Sequence, residues 1–144
     1  HNVIPSSVEL MGTIRALDTD VRKRIKEELV NLASSLASSM GGHFKLDFIG
    51  GLPVLDNDRA MCDLVRECAL SFIDKTKVIE GKPLLVGEDM ALFLERVPGA
   101  MIFLGCGNDD LASYPHHHPS FNVDDGALEV GIELALRVVT KLTA

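Results

Sequence analysis

The chain has 144 residues, 47% of them apolar, and a formal net charge of −7. It is long enough for one ordinary domain or two small ones, and too apolar to stay disordered. The acidic balance, the missing tryptophan and the lack of a basic stripe exclude a phosphate-backbone partner, and no stretch approaches the roughly 20 apolar residues that span a bilayer, so neither a nucleic acid nor a membrane is expected.

Residues 1–17 read as extended. Val8, Leu10, Gly12, Ile14 and Ala16 alternate with Glu9, Met11, Thr13 and Arg15, the period of a strand with one buried face. Pro5-Ser6-Ser7 marks a turn or edge, with a partner strand expected before Pro5. Asp18 or Thr19 can cap a helix whose Val21, Ile25, Leu29, Leu32, Leu36 and Met40 make an amphipathic stripe. Arg22, Lys23, Arg24 and Lys26 on that helix stand beside Glu27 and Glu28, which suits a solvated face better than an anion site. Gly41-Gly42 ends the helix. Phe44, Leu46 and Phe48 alternate as a second strand, broken by Gly50-Gly51 and Pro53.

The composition changes at Leu55-Asp56-Asn57-Asp58. Asn57 is expected to cap a helix carrying Met61, Leu64, Val65, Cys68 and Phe72 on one side. Gly81-Lys82-Pro83 is loop. Gly87-Glu88-Asp89 opens a short helix to about Val97, ended by Pro98-Gly99. Ala100 to Leu104 is a continuous apolar run, as in a strand covered on both faces. Gly105-Cys106-Gly107-Asn108 terminates it. A loop with three histidines follows, and Asp124 or Asp125 caps a last helix with Leu128, Ile132, Ala135, Leu136 and Val139 toward the core. A boundary near residue 56 divides two halves, neither with enough strands to pair its own. Buried strand groups must be hydrogen-bonded, so other segments are expected to complete both halves. The start at His1-Asn2-Val3, without methionine, fits a processed chain or a piece of a longer one. No signal peptide is visible.

The tract Ser113-Tyr114-Pro115-His116-His117-His118-Pro119-Ser120-Phe121 carries the most chemistry. Neutral imidazole is the commonest ligand of a catalytic metal. The prolines keep the tract from being helical. In an extended tract His116 and His118 share one side and His117 takes the other, so one or two could face a metal; geometry does not choose between them. The alternative is a surface loop whose imidazoles only hydrogen-bond. Such a centre needs three or more ligands from distant segments, and the rest of the set is missing. Glu88-Asp89 is explained either by the favourable interaction of acids with a helix start or by a carboxylate that orients a metal-bound histidine. Asn2 suits a turn, and Arg15 a solvated strand position or a substrate carboxylate. Gly105 and Gly107 lack the third glycine of a nucleotide loop, and no Gly-x-Ser-x-Gly occurs. Cys62, Cys68 and Cys106 show no metal-type spacing and read as reduced thiols of a cytoplasmic protein, with Cys106 more plausible as a buried residue than as a nucleophile.

Four segments, in this order, resemble one family. Asn2-Val3-Ile4-Pro5 with Val8 to Arg15 resembles the "NVIP…GTxR" stretch of metal-dependent aminoacylases and carboxypeptidases, with hippurate hydrolases and indoleacetyl-amino-acid hydrolases the nearest branch. Gly87-Glu88-Asp89-Met90 is similar to "GEDF", with methionine in place of the usual phenylalanine. Val97 to Gly105 matches "VPGxxxFLG". His117-His118-Pro119-Ser120-Phe121 with Asp124-Asp125-Ala127-Leu128 matches "H-[SNH]-P-x-F…D-x-x-L". The resemblance covers nearly the whole chain.

It implies a mixed α/β fold: an αβα catalytic domain with an inserted α+β, ferredoxin-like lid domain that commonly dimerises. Residues 1–56 would be the carboxy-terminal portion of the lid, and 57–144 that of the catalytic domain. It implies two divalent metal ions, zinc or manganese, and hydrolysis of N-acyl-amino acids or small peptides by a homodimer. His117 falls on the family's carboxy-terminal metal ligand, His118 on the variable position and His116 on a usual leucine. The other ligands and the general-base glutamate would lie upstream of residue 1, so no catalytic base is assigned within the chain. Asn2 falls on a lid asparagine that relatives use to contact substrate. Arg15 fits the motif without an assigned role. The competing expectation is a non-catalytic binding or dimerisation module that retains the fold.

Overall fold

A computed structural model describes residues 2–107 and 114–144. His1, Asn108 and Ser113, used above at the chain start, the end of the apolar run and the start of the histidine tract, lie outside the described residues. The chain forms two compact units, His1–Val54 with Lys82–Asp89, and Leu55–Gly81 with Met90–Ala144.

The first unit is organised by helix α1, Thr19–Ser39. Its start is capped by Asp18, whose Oδ1 accepts the Val21 N–H at 2.8 Å, satisfying one of the free donors of a first turn. Its end is a Schellman motif. Gly41 adopts φ 70°, the Gly42 N–H donates to the Ala37 carbonyl at 2.8 Å and the Gly41 N–H to that of Ser38 at 3.1 Å, an arrangement that glycine enters without steric cost. The face turned inward is not the expected apolar stripe. Arg22, Lys26, Ala33 and Ala37 are half-buried, whereas Leu32, Leu36 and Met40 are 67%, 64% and 80% exposed. The reason lies in residues 48–52. The Arg22 guanidinium donates to the Leu52 carbonyl, and the Lys26 ammonium stands 5.0 Å above the Phe48 ring, a cation–π contact that covers the stem of the lysine as well. Gly51, at φ 136°, leaves room for that guanidinium, which a Cβ there would strike.

The second unit is built on α2, Arg59–Leu70, packed against α4, Gly126–Thr143. Cys68, Ala69 and Leu134 are buried between them, flanked by Leu64, Val65, Phe72, Ile73, Val78 and Val138. The face expected for α2 is the one that packs. That expected for α4 is not: Leu128, Ile132, Leu136 and Val139 are exposed, while Leu134 is buried and Ala127, Val130 and Val138 are half-buried. Helix α4 is apolar on more than one side, so periodicity cannot choose its buried face. Arg137 clips the pair together. It donates to Ser71 Oγ at 2.8 Å and to Glu133 Oε1 at 2.6 Å, and lies 4.8 Å over the Phe72 ring. After α2 a 3₁₀ turn, Lys75–Lys77, is capped by Asp74. The side-chain and backbone hydrogen bonds from Thr76 hold the Asp74 carboxyl below its ordinary value.

The cap of α2 is Asp58, not Asn57. Asp58 Oδ1 accepts the Met61 N–H at 2.9 Å. Asn57 is drawn away by a distant backbone: its Nδ2 donates to the Met101 carbonyl at 2.9 Å, and its Oδ1 accepts the Met101 N–H at 2.8 Å. Helix α3 is short, Met90–Leu94, and runs into turns before Pro98-Gly99. Its Ala91 is buried.

Among the described residues the regular structure is helical, and no strand ladder forms. Residues 8–16, 44–48 and 100–104, together with the partner expected before Pro5, were candidates for strands. A period-2 pattern marks a segment suited to a sheet, but a strand also needs a second edge for its N–H and C=O groups. None of the described residues supplies one. Consistent with this, Leu10 and Met11, which belong to opposite faces of such a strand, are 90% and 92% exposed. The apolar run is covered only in part: Ala100 and Met101 are half-buried and Phe103 is exposed.

Candidate functional site

The histidine tract lies in an excursion pinned at its base. The Asp124 N–H donates to the Cys106 carbonyl at 2.7 Å. Asp124 also accepts the Gly126 N–H at 2.8 Å on Oδ1, which starts α4. Cys106 and Asp124, on either side of the tract, are therefore joined within the second unit.

Within the tract the backbone is not extended. It makes two consecutive β-turns. The His118 N–H donates to the Pro115 carbonyl at 3.1 Å, and the Phe121 N–H to the His118 carbonyl at 2.9 Å. Pro119 suits the second position of the second turn, where its φ is preset. In the first turn His117 occupies the third position with φ 69°, the one non-glycine residue of positive φ among those described. That is the left-handed conformation a type II turn requires, and it costs an L-residue about 1–2 kcal/mol. The sequence expectation of alternating sides is replaced by a turn, and the absence of helix stands.

The turns separate the three imidazoles. His118 stacks on Tyr114, with centroids 4.2 Å apart and planes at 12°, and its Nδ1 accepts the Ser120 N–H at 3.0 Å. His116 meets the Phe121 ring edge-on at 5.1 Å and 85°. His117 has no hydrogen bond, ion pair or ring contact with a described residue, and its side chain is exposed. Tyr114 and Ser120 escaped sequence reasoning, because nothing in their spacing announces a stack or a turn amide bonded to a histidine ring.

The other candidates belong to the first unit. Asn2 is exposed. Arg15 donates weakly to the Leu85 carbonyl, at 3.5 Å, and its Nη1 lies 3.8 Å from where a Cβ on Gly87 would be. It therefore runs beside the segment that leads to Glu88 and Asp89. Glu88 is half-buried and Asp89 exposed, and both precede α3 rather than lying in its first turn. No group of three histidine, cysteine or carboxylate side chains able to hold a metal assembles among the described residues. His117 is thus a free donor without a described ligand set. Cys62, Cys68 and Cys106 are free thiols, with Cys68 buried and the others half-buried.

Comparison with known proteins gives this arrangement a context. The chain is 34% identical over 127 residues to N-acetyl-L-cysteine deacetylase of Bacillus subtilis, which covers 88% of this chain and 29% of that protein. It is 33% identical over 132 residues to thermostable carboxypeptidase 2 of Saccharolobus solfataricus, covering 90% and 33% respectively. The chain spans about a third of the length of the curated relatives it matches. A crystal structure of a protein described as an aminohydrolase from methicillin-resistant Staphylococcus aureus superposes with a TM-score of 0.71 at 29% identity, over 84% of this chain and 31% of that one. The family model that fits residues 5–141 takes in both the Val8–Arg15 segment and the histidine tract, and on that match the chain belongs to peptidase family M20/M25/M40.

Proposed function

We propose that the intact protein is a metal-dependent hydrolase of the amide bond in N-acyl-amino acids or small peptides, and that this chain carries one of its metal-binding imidazoles, His117. Membership of the peptidase family supports the reaction class, as do the names of its relatives, a deacetylase and a carboxypeptidase. The observation that carries the residue assignment is that His117 alone of the three tract imidazoles is left without a partner, in a conformation that costs free energy to hold.

On this reading residues 1–56 form part of an α+β, ferredoxin-like lid through which two subunits pair, and residues 57–144 the carboxy-terminal part of an αβα catalytic domain. The segments at 8–16, 44–48 and 100–104 enter sheets completed by other parts of the polypeptide. Three free thiols suit a cytoplasmic enzyme.

Two divalent ions, zinc or manganese, would when bound polarise the amide carbonyl and acidify the attacking water. His117 holds one of them. Glu88, already half-buried, braces the ligand set, with Asp89 beside it. Asn2 and Arg15 face the substrate, where a guanidinium fork suits the carboxylate of an amino acid. The remaining ligands and the general base belong to sequence outside this chain.

In the intact protein, His117→Ala is expected to lower bound metal and to slow hippurate hydrolysis by on the order of 100-fold or more, beyond the loss typical when only a residue behind a ligand changes. Metal content and initial rates, with and without chelator, measure this. Wild-type metal content and rate in the variant would refute the assignment. An intact protein that binds no divalent ion would point instead to a non-catalytic binding or dimerisation module.

A further inference from the structure

The histidine next to the proposed ligand has a task of its own. His118 is the shared corner of the two turns: its N–H closes the first and its carbonyl accepts the closure of the second. Its ring is held from two directions, by the Tyr114 stack at 4.2 Å and by the Ser120 N–H donated to Nδ1 at 3.0 Å. Accepting on Nδ1 places the ring hydrogen of the neutral imidazole on Nε2. These contacts connect Tyr114, which precedes the first turn, to Ser120, which lies inside the second. His117 sits between them at φ 69°, a conformation that persists only where the surroundings over-determine it.

We infer that His118 is a positioning residue. Its imidazole fastens the double turn that holds His117 in the left-handed conformation, with the His117 ring turned out and free to bind an ion. This rests on the reading of His117 as a metal ligand. The same geometry removes His118 as a rival ligand through Nδ1, because that lone pair is already engaged. It resembles an Asx-turn, in which a side-chain oxygen accepts the N–H two residues on, so an asparagine at position 118 retains the acceptor while a leucine does not.

The test uses the intact protein substituted with cobalt(II), whose visible spectrum and chelator-competed affinity report the ligand geometry. His118→Leu is expected to weaken metal binding roughly 10–100-fold and to change the cobalt spectrum, the scale found when support behind a ligand is removed. His118→Asn is expected to restore affinity to within about threefold of wild type, since it keeps the turn acceptor. Nitrogen-15 spectra of the metal-free protein should show His118 carrying its hydrogen on Nε2. If His118→Leu does not fold, Tyr114→Leu, which removes the stack alone, serves in its place with a smaller loss in the same direction. Wild-type affinity and spectrum in His118→Leu, a failure of His118→Asn to recover, or a hydrogen on Nδ1 would each overturn the inference. His117→Ala separates the two levels. If it abolishes tight binding while His118→Leu does not disturb it, only the positioning role fails; if His117→Ala binds metal as wild type, the ligand reading fails.

Discussion

Asn57 presents both ends of its side-chain amide to the backbone of a single residue, Met101, with bonds of 2.9 and 2.8 Å across 44 positions of sequence. A residue-scale prediction follows from the chemistry of that pairing. Asn57→Ala leaves a half-buried N–H and C=O without partners and is expected to destabilise the chain by about 1–3 kcal/mol. Asn57→Asp keeps the acceptor for the Met101 N–H but points a carboxylate oxygen at the Met101 carbonyl, so it should not rescue. Urea unfolding measures both, and a cost near zero for Asn57→Ala would show that the pairing is idle. The same residue shows where sequence reading stops. Asn57 and Asp58 are both good caps at adjacent positions, and what decided between them was a partner 44 residues away, which no local pattern contains. His117 was legible differently: its motif was readable, and its role as a ligand is the reading proposed above, but the left-handed turn and the ring contacts of its neighbours were not.

At the scale of elements, the helices were readable and two of their buried sides were not. Helix α2 has one apolar side, and that side packs. Helix α4 carries apolar residues on more than one side, and α1 turns Arg22 and Lys26 inward in place of its apolar stripe, so the choice of face fell to what lies alongside: residues 48–52 against α1, and α2 against α4. The α2–α4 contact gives a direct prediction. Leu134 is 6% exposed at its centre, between Cys68 and Ala69. Leu134→Ala is expected to cost about 2–5 kcal/mol through lost burial and an unfilled cavity, read as a shift in the denaturation midpoint. A loss under about 0.5 kcal/mol, the range of ordinary surface changes, would mean that this contact does not hold the second unit together. The strand candidates form no ladder among the described residues for a related reason. Alternation describes one edge of a ladder, and a ladder has two.

For the molecule as a whole, four short motifs in the right order identified the family, which the match over residues 5–141 establishes. Motifs survive in sequence because each is local, whereas a metal centre is assembled from segments far apart. On the reading proposed above this chain supplies one ligand, His117, and among the described residues no set of three gathers around it. The 144 residues expressed by themselves are therefore expected to hydrolyse hippurate at no more than the background rate and to retain no metal after desalting, because one imidazole cannot hold a catalytic ion. Turnover at an ordinary enzymatic rate by the isolated chain would mean that the chemistry resides in residues given other roles above.

The bond between the Cys106 carbonyl and the Asp124 amide has a corollary for loop length. Doubling the length of chain between two joined ends adds only about 0.6 kcal/mol of closure entropy, so a longer stretch between Cys106 and Asp124 is expected to leave the pairing of α2 with α4 in place, as urea unfolding of such a variant would show.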